Sequence, residues 1–436
     1  MCAVLRSARD EKVRSVDRNK PWNAILPEPG GSDRFPRRSF LKMAAGVAAG
    51  AIFGGSLPAY AAQVIQMPFA NGRRKLVRFP QKGEMILLRE HPPLLETPFE
   101  VFDQGVFTPN DQFFVRWHLP VIPDSIDVDA FRLRVDGHVR TPTEFTLKEI
   151  LHRPGQVELA AVNQCSGNSR GFSSPRVPGG EWGNGAMGNA LWTGITLKSL
   201  LDRVGMLPGA VQVRFSGLDF GEVPETPVFM KSLAVDHAMD GEVMVAYGMN
   251  GAQFPLVNGF PLRLIVPGWY STYWVKMLSH IEVLDKPDDN YWMRTAYLIP
   301  DTPGATMVPG AKGVRMVPIN RIVPRSFITN LSDKGTVRRG VPIEVRGIAF
   351  GGDTGVKNVA FSVDGGTSWQ NAALGKDYGR YSFRRWKTSF LPKQAGIYKL
   401  MVNATNSNNL YQPATAPWNP GGYMRNVVEQ VTVHTA

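Results

Sequence analysis

The sequence predicts an irregular α+β domain followed by a small all-β sandwich of the immunoglobulin type. A chain of 436 residues is long enough for two or three domains. Between residues 108 and 309, short apolar runs and one helical pattern alternate with Gly- and Pro-rich loops. After residue 309 the pattern changes to closely spaced β-rich runs separated by turn signals.

Composition excludes several classes of protein. Hydrophobic residues make up 43% of the chain and charged residues 20%, which excludes a disordered or fibrous protein. The net charge of +12 is not concentrated in basic runs, so nucleic acid is not expected as a partner. Cys2 and Cys165 are the only cysteines, which excludes a disulfide scaffold.

The N-terminal segment has the pattern of a twin-arginine export signal. Arg37 and Arg38 precede an Ala- and Gly-rich apolar run at 43–57, and Ala59-Tyr60-Ala61 follows as a small-x-small cleavage site. The run is shorter than the roughly 20 residues that a membrane span needs. A basic stretch before a buried helix is the alternative. We therefore expect residues 1–61 to be a signal peptide and the mature protein to lie in the periplasm, exported folded and without a membrane anchor.

Residues 62–98 mix basic, apolar and Pro residues with little periodicity, which predicts an extended N-terminal arm. In the mixed domain that follows, residues 131–135 and 262–266 are apolar runs that predict strands. Residues 197–204 are apolar at helical spacing and are followed by Gly205, which predicts a short helix.

The C-terminal part predicts at least five strands. Turn signals at Asp364-Gly365-Gly366 and at 406–409 separate the runs. The runs are residues 341–348, 356–363, 381–390, 396–404 and 427–433. The spacing is typical of a β-sandwich that serves as an accessory or oligomerisation module.

Cys165 is the first candidate for chemistry. Apolar residues 159–162 lead into it and Gly and Asn follow, which predicts a strand that ends in a loop. Without the signal peptide it is the only thiol, so it is a buried inert cysteine, an intermolecular bridge, a nucleophile or a metal ligand. Arg170 nearby would favour the thiolate. A nucleophile would need a histidine partner, for which His118 and His237 are available.

Arg116 and His118 are two residues apart, so on a strand both side chains would face the same side. Arg116 and Arg170 together could form a receptor for a small oxyanion, because guanidinium groups stay charged and donate several hydrogen bonds. Ordinary surface ion pairing is the alternative for each arginine.

Several ordered motifs resemble the sulfite oxidase family of molybdenum enzymes, over about residues 99–433. In the first domain they are Phe114 to His118, Cys165-Ser166-Gly167-Asn168-Ser169-Arg170, Glu181-Trp182, Gly185-Ala186, Leu191-Trp192-Thr193-Gly194-Ile195, Asn258-Gly259-Phe260-Pro261-Leu262-Arg263, Val266-Pro267-Gly268-Trp269 and Val275-Lys276. In the second domain they are residues 362–369 and the segments around Asn403-Ala404, Gln412-Pro413 and Trp418-Asn419.

The resemblance implies a molybdopterin-binding catalytic domain at 99–314 and an Ig-like dimerisation domain at 315–436. It implies a dioxo molybdenum held by one molybdopterin and by the Cys165 thiolate. Arg116, Arg170 and Tyr297 match positions around the substrate, Trp182 would line the pocket, and His118 either faces the cofactor or is structural.

The residues that would bind the cofactor are Phe114, Val115, Arg116, Trp117, His118, Asp219, Asn258, Arg263, Trp274, Val275 and Lys276. Asn258 stands where many relatives carry His. Animal members have a third substrate arginine in the loop that corresponds to 351–355, which has none here, so either Lys357 substitutes for it or the anion site is weaker there.

The activity that the resemblance implies is oxidation of sulfite to sulfate. The sequence has no Cys-x-x-Cys-His haem site, so we expect no haem in this chain and electron transfer, one at a time, to a separate periplasmic c-type cytochrome. A homodimer or a heterodimer with a haem subunit is expected. The alternatives are a periplasmic molybdenum-dependent methionine sulfoxide reductase, a non-catalytic binding protein and, more distantly, a cysteine hydrolase.

Overall fold

The computed structural model describes residues 63–435. The export signal predicted at 1–61 lies outside these residues. Within them, no helix is long and apolar enough to cross a membrane.

The N-terminal arm forms most of a five-stranded antiparallel sheet. Its strands follow one another in the order β1 to β5. They are β1 (Val64–Gln66), β2 (Arg73–Arg78), β3 (Glu84–Arg89), β4 (Leu94–Glu96) and β5 (Val115–Arg116). The prediction of an extended arm misses this sheet, because its strands are only three to six residues long and show little periodicity. β4 pairs with β5 so that Leu94 lies opposite Arg116, which places that arginine at the sheet edge.

The helices are few and short. They are α1 (Val101–Gln104), α2 (Leu147–Leu151), α3 (Leu197–Val204), α4 (Val235–Ala238) and α5 (Tyr291–Arg294), with 3-10 turns at Asn110–Gln112, Arg170–Phe172, Leu256–Asn258, Ser271–Tyr273 and Pro303–Ala305. α3 has the predicted bounds: the Thr196 hydroxyl accepts a hydrogen bond from the Ser199 amide at its start, and Gly205 ends it with φ of 66°.

Two sheets build the first domain. One has the order β11-β10-β15-β6-β7, and the other has the order β13-β12-β9-β8 with β14 paired to β12. Their strands are β6 (Arg132–Gly137), β7 (Thr143–Thr146), β8 (Gln156–Gln164), β9 (Met187–Thr196), β10 (Gln212–Gly217), β11 (Met230–Ala234), β12 (Met244–Met249), β13 (Ala252–Gln253), β14 (Arg263–Ile265) and β15 (Leu278–Leu284). Both strands predicted in this domain are present, as β6 and β14.

A two-stranded ribbon, β16 (Leu298–Pro300) with β17 (Met316–Pro318), leads into the predicted sandwich. Its two sheets have the orders β18-β20-β24-β23 and β19-β26-β25-β21-β22. The strands are β18 (Arg325–Ile328), β19 (Gly335–Val337), β20 (Ile343–Phe350), β21 (Val356–Ser362), β22 (Gln370–Asn371), β23 (Ala373–Leu374), β24 (Arg384–Phe390), β25 (Gly396–Asn406) and β26 (Glu429–Thr435). All five predicted runs are strands, which confirms the immunoglobulin-like sandwich.

The main hydrophobic core crosses the boundary between the two domains. Phe327, Phe350 and Phe383 of the C-terminal part belong to the same buried cluster as the first domain. The amide of Val162 on β8 donates to the Tyr381 carbonyl oxygen at 2.8 Å. The sandwich is therefore packed against the strand that leads to Cys165.

Candidate functional site

Cys165 lies directly after β8, as predicted, and its residue is only 5% exposed. Its amide donates to the Ala186 carbonyl oxygen at 2.9 Å, and its own carbonyl accepts from the Asn168 amide at 3.0 Å. The thiol forms no disulfide. A rigid turn thus holds this thiol at the end of a buried strand.

Arg170 follows in the same loop, and both domains hold its guanidinium. Nε donates to the Gly421 carbonyl oxygen at 2.9 Å and Nη1 to that of Gly180 at 3.0 Å. A Cβ at Gly167 would lie 2.2 Å from Nη2, so only glycine permits this approach.

Arg116 and Arg170 lie against a pair of stacked tyrosines. The rings of Tyr297 and Tyr423 have centroids 5.3 Å apart and an angle of 21° between their planes. The Arg116 guanidinium carbon is 5.9 Å from the Tyr297 centroid, and that of Arg170 is 5.2 Å from the Tyr423 centroid. Nη1 of Arg116 is buried and has no hydrogen-bond partner among the described residues. The structure therefore brings both predicted arginines to one place. Nη1 of Arg116 is available there to donate to a ligand.

Tyr297 is also joined to His118. The hydroxyl lies 2.5 Å from His118 Nε2, and the imidazole stacks on Phe229 with centroids 3.6 Å apart. Burial lowers the pKa of His118 well below its ordinary value, and the positive charges of Arg116 and Lys276 lower it further. His118 is therefore neutral. Burial raises the pKa of Tyr297, so the phenol keeps its proton at neutral pH.

The backbone of Tyr297 is in the left-handed region, with φ of 60°. A bulky residue rarely adopts this conformation, and such strain is concentrated at functional sites. Trp182 is fully buried, and its backbone bonds to Gly180 and Gly171 hold it in the Arg170 loop.

A pocket with several cationic side chains includes Arg116 in its wall. Phe114, Arg116, His118, Phe229, Asn258, Arg263, Ser271, Trp274 and Lys276 line it. Arg263 Nη1 donates to the Asn258 carbonyl oxygen at 3.0 Å, while Nε is buried without a hydrogen-bond partner among residues 63–435. Burial lowers the pKa of Arg263 to about 9. Burial, and then Arg263, lower the pKa of Lys276 to about 7, while Asp219 raises it. These cations are costly to bury, and an anion in the pocket would offset that cost.

The other predicted cofactor residues are core side chains or hold the pocket wall. Val115 and Val275 are buried. The indole nitrogens of Trp117 and Trp274 donate to the carbonyl oxygens of Val257 and Trp269, at 2.8 and 2.9 Å. Asn258 Nδ2 donates to the Phe114 carbonyl oxygen at 3.0 Å.

Sequence reasoning missed four residues at or beside this site: Lys82, Phe229, Lys231 and Tyr423. Lys82 Nζ donates to Asn258 Oδ1 at 2.9 Å, and Lys231 Nζ donates to the Trp292 carbonyl oxygen at 2.7 Å. Both lysines are buried, and Lys231 lies in β11, where three consecutive residues are buried, so the sequence of this strand gave no alternating pattern that singled it out. Lys82 gave none either, since it sits in a turn.

Two predicted residues lie away from this cluster. Lys357, the candidate for a third substrate cation, donates from Nζ to Asn409 Oδ1 at 2.7 Å on an exposed part of the sandwich. Of the two alternatives, this surface contact favours an anion site without a third cation over a substitution by Lys357. His237, considered as a partner for Cys165, pairs with Asp240 at 2.6 Å and stacks on Trp269.

The residues present fit a molybdenum-pterin group. The buried thiol of Cys165 is a soft ligand suited to a redox metal. Arg263 and Lys276 offer a buried cationic site for the phosphate of the pterin, and the unpaired Nε of Arg263 is a free donor for it among the described residues. Within residues 63–435, no group of three or more His, Cys, Asp and Glu side chains is arranged to hold a metal ion.

Fold and site together define an α+β protein with a buried cationic pocket and an appended β-sandwich. Residues 118–292 match the family described as oxidoreductase molybdopterin binding domain, and residues 317–436 match the Mo-co oxidoreductase dimerisation domain. Sulfite oxidase of Gallus gallus is 32% identical over 347 residues, which are 76% of this chain and 73% of the relative. The chain belongs to the sulfite oxidase family, which confirms the resemblance seen in the sequence.

Mitochondrial sulfite oxidase of Homo sapiens is 32% identical over 365 residues, or 80% of this chain. The matched region is 65% of the human protein, so the chain spans just under two thirds of that relative. The sulfane dehydrogenase SoxCD from Paracoccus pantotrophus shares the fold, with a TM-score of 0.65, 20% identity, and coverage of 92% of this chain and 96% of the other.

Proposed function

We propose that this protein oxidises sulfite to sulfate at a molybdenum-molybdopterin centre and passes the electrons singly to a separate c-type cytochrome. The observation that carries the proposal is the pair of arginines, Arg116 and Arg170, against the stacked tyrosines near Cys165. Such a pair suits a small oxyanion, because each guanidinium is permanently charged and presents several donors. The relatives named as sulfite oxidases support sulfite as that anion.

When bound, the molybdenum-pterin group supplies the oxygen transfer and accepts the electron pair. Cys165 is the protein ligand of the metal, which is of the dioxo type. Arg263 and Lys276 hold the pterin phosphate, and Asp219 balances part of their charge. Arg116 and Arg170 bind and orient the anion, and Trp182 limits the access of water.

Tyr297 and His118 form a hydrogen-bonded pair beside the anion. The phenol is protonated and the imidazole is neutral, because burial disfavours the charged form of each. The 2.5 Å contact between them is a hydrogen bond between two neutral groups, so holding it buries no charge. The neutral imidazole also leaves the arginines as the positive groups that face the anion.

The proposed location and partners come from the sequence pattern and the family matches. The twin-arginine pattern at 1–61 supports export to the periplasm, where c-type cytochromes are available as acceptors. The dimerisation domain supports a homodimer or a heterodimer with a haem subunit. The chain itself carries no haem in this proposal.

A molybdenum-dependent methionine sulfoxide reductase is the alternative enzyme. Its substrate is neutral and offers one sulfoxide oxygen, so it needs fewer charged donors than Arg116 and Arg170 supply together. A non-catalytic protein that bound no anion would leave Arg263 and Lys276 with only the partial compensation of Asp219.

The experiment that tests the proposal compares two substrates on purified, molybdenum-loaded protein. We expect sulfite to reduce cytochrome c and methionine sulfoxide not to reoxidise a reduced dye. Arg170→Met should lower kcat/KM for sulfite by about a hundredfold or more, as expected for loss of a charge-assisted pair. The exposed Arg339→Met is the matched control. Turnover of methionine sulfoxide without turnover of sulfite would replace the proposal by the alternative.

A further inference from the structure

Tyr423 belongs to the C-terminal domain but lies in the candidate site. Its ring stacks on Tyr297, and the Arg170 guanidinium carbon is 5.2 Å from its centroid. A residue from outside the first domain thus contacts two of the residues that surround the proposed anion.

Hydrogen bonds fix the segment that carries Tyr423. Asn419 Oδ1 accepts from the Tyr423 amide at 3.0 Å, and Asn419 Nδ2 donates to the Tyr423 carbonyl oxygen at 2.8 Å. The next amide, of Met424, donates to the Ser166 carbonyl oxygen at 3.0 Å. Because the backbone is held on both sides, the ring needs little ordering when a ligand binds.

The same segment approaches Arg170 closely. Gly422 has φ of 57°, and a Cβ there would lie 2.8 Å from Cγ of Arg170 and 2.6 Å from Cγ2 of Val177. The Gly421 carbonyl oxygen accepts from Arg170 Nε at 2.9 Å. The C-terminal domain therefore orients this arginine and places a phenol beside it.

The charged groups of the site act on the Tyr423 hydroxyl. Burial raises the pKa of Tyr423, the positive charges of Arg170 and Arg116 lower it, and the charges of Cys165 and Tyr291 raise it. The net direction is upward, so the hydroxyl is protonated at neutral pH and is a donor. The stacking on Tyr297 and the approach of the Arg170 guanidinium to the ring place Tyr423 beside the proposed anion.

The other phenol of the pair has a competing partner. Tyr297 lies 2.5 Å from His118 Nε2. When that nitrogen is unprotonated, Tyr297 gives its single proton to His118 and has none for an anion. A second phenol then supplies the missing donor.

We propose that the Tyr423 hydroxyl donates a hydrogen bond to the bound oxyanion, so that the C-terminal domain supplies a substrate-binding residue. The inference rests on the proposed function, because it takes sulfite as the anion. A phenol adds a donor without adding a third positive charge. It therefore holds the anion while opposing product release less than another guanidinium would.

The test uses Tyr423→Phe in the molybdenum-loaded protein, because phenylalanine keeps the ring stacking and removes only the hydroxyl. Sulfate binding is measured by titration calorimetry and sulfite turnover by steady-state kinetics. We expect the Kd for sulfate and the KM for sulfite each to rise about tenfold, with kcat changed less than about threefold. Tyr411→Phe, at an exposed tyrosine of the same domain, should change neither.

Each outcome decides the inference. A Kd and a KM within twofold of the wild-type values in Tyr423→Phe would overturn it while leaving sulfite oxidation in place. Weaker sulfate binding in Tyr423→Phe, with no sulfite oxidation by either protein, would uphold Tyr423 as an anion-binding residue and overturn the proposed function. No sulfate binding by the wild-type protein would overturn the inference.

Discussion

Lys276 Nζ donates a hydrogen bond to the backbone carbonyl oxygen of Arg116 at 2.7 Å. This bond joins the pocket that we propose for the pterin phosphate to the strand that carries Arg116, a proposed substrate arginine. The lysine also lies over the Trp117 ring, with Nζ 4.4 Å from the centroid. In the proposed function, cofactor binding and substrate orientation would therefore share one side chain.

Lys276→Met should weaken retention of the cofactor. The substitution removes a buried cation whose charge an anionic phosphate would offset, and it leaves the stem in place. We expect pterin and molybdenum per chain to fall by about tenfold after dialysis, which corresponds to loss of one charge-assisted bond. Lys393→Met, at an exposed lysine, is the control. Full occupancy in Lys276→Met would contradict the assignment of this pocket.

Glu96 should make stability depend on pH. Its carboxylate accepts from the amides of Gly183 and Gly185 at 2.9 and 2.8 Å, next to Trp182. Burial nevertheless raises its pKa from 4.5 to about 7. The folded state thus binds a proton in this window that the unfolded state does not, so the free energy of unfolding should fall as pH rises from 4.5 to about 7.

Glu96→Gln should lack that contribution and cost about 1–3 kcal/mol at pH 8, because the amide NH2 faces a backbone donor. Denaturant unfolding at several pH values measures both effects. The exposed Glu84→Gln is the matched substitution, and its free energy of unfolding should depend on pH as in the wild type. An unchanged pH dependence of the free energy of unfolding in Glu96→Gln would show that another group titrates there.

Arg325 should matter far more than a surface arginine of the same sandwich. It is fully buried, and it donates to Ser169 Oγ at 3.0 Å and to Glu429 Oε1 at 2.5 Å. Arg325→Met should destabilise the protein by about 2–3 kcal/mol, since it removes two buried hydrogen bonds while Arg425 still pairs with Glu429 at 3.1 Å. It should also raise KM for sulfite, because Ser169 directly precedes Arg170.

The control is Arg346→Met, where the side chain is 39% exposed and pairs with Asp103. Its cost should not exceed about 1 kcal/mol. Equal losses in the two variants, measured by chemical unfolding, would remove the link between the sandwich and the substrate loop.

The sequence predicted much of the site because its residues sit in short local motifs. Cys165 and Arg170 lie in one loop, and Arg116 and His118 lie two residues apart, so local patterning was enough. The strands of the sandwich were predictable for the same reason, since turn signals separate alternating runs.

Long-range pairing explains what was missed. In the N-terminal sheet, β5 joins only when it pairs with β4 across residues 97–114, which no local pattern reports. Tyr423 enters the site because the sandwich folds back onto the first domain. Glu96 reaches two amides 87 and 89 residues away, and isolated charge patterns do not reveal such a contact.

The central claim is that Cys165 holds molybdenum for sulfite oxidation, and Cys165→Ser tests it most directly. Molybdenum content and sulfite-dependent reduction of cytochrome c are measured on the same samples of wild-type and variant protein. The account predicts about one molybdenum per chain and sulfite turnover in the wild type. In the variant, turnover should be abolished and the molybdenum content per chain should be lower. Sulfite turnover at the wild-type rate by Cys165→Ser, or wild-type protein that turns over sulfite without molybdenum, would contradict it.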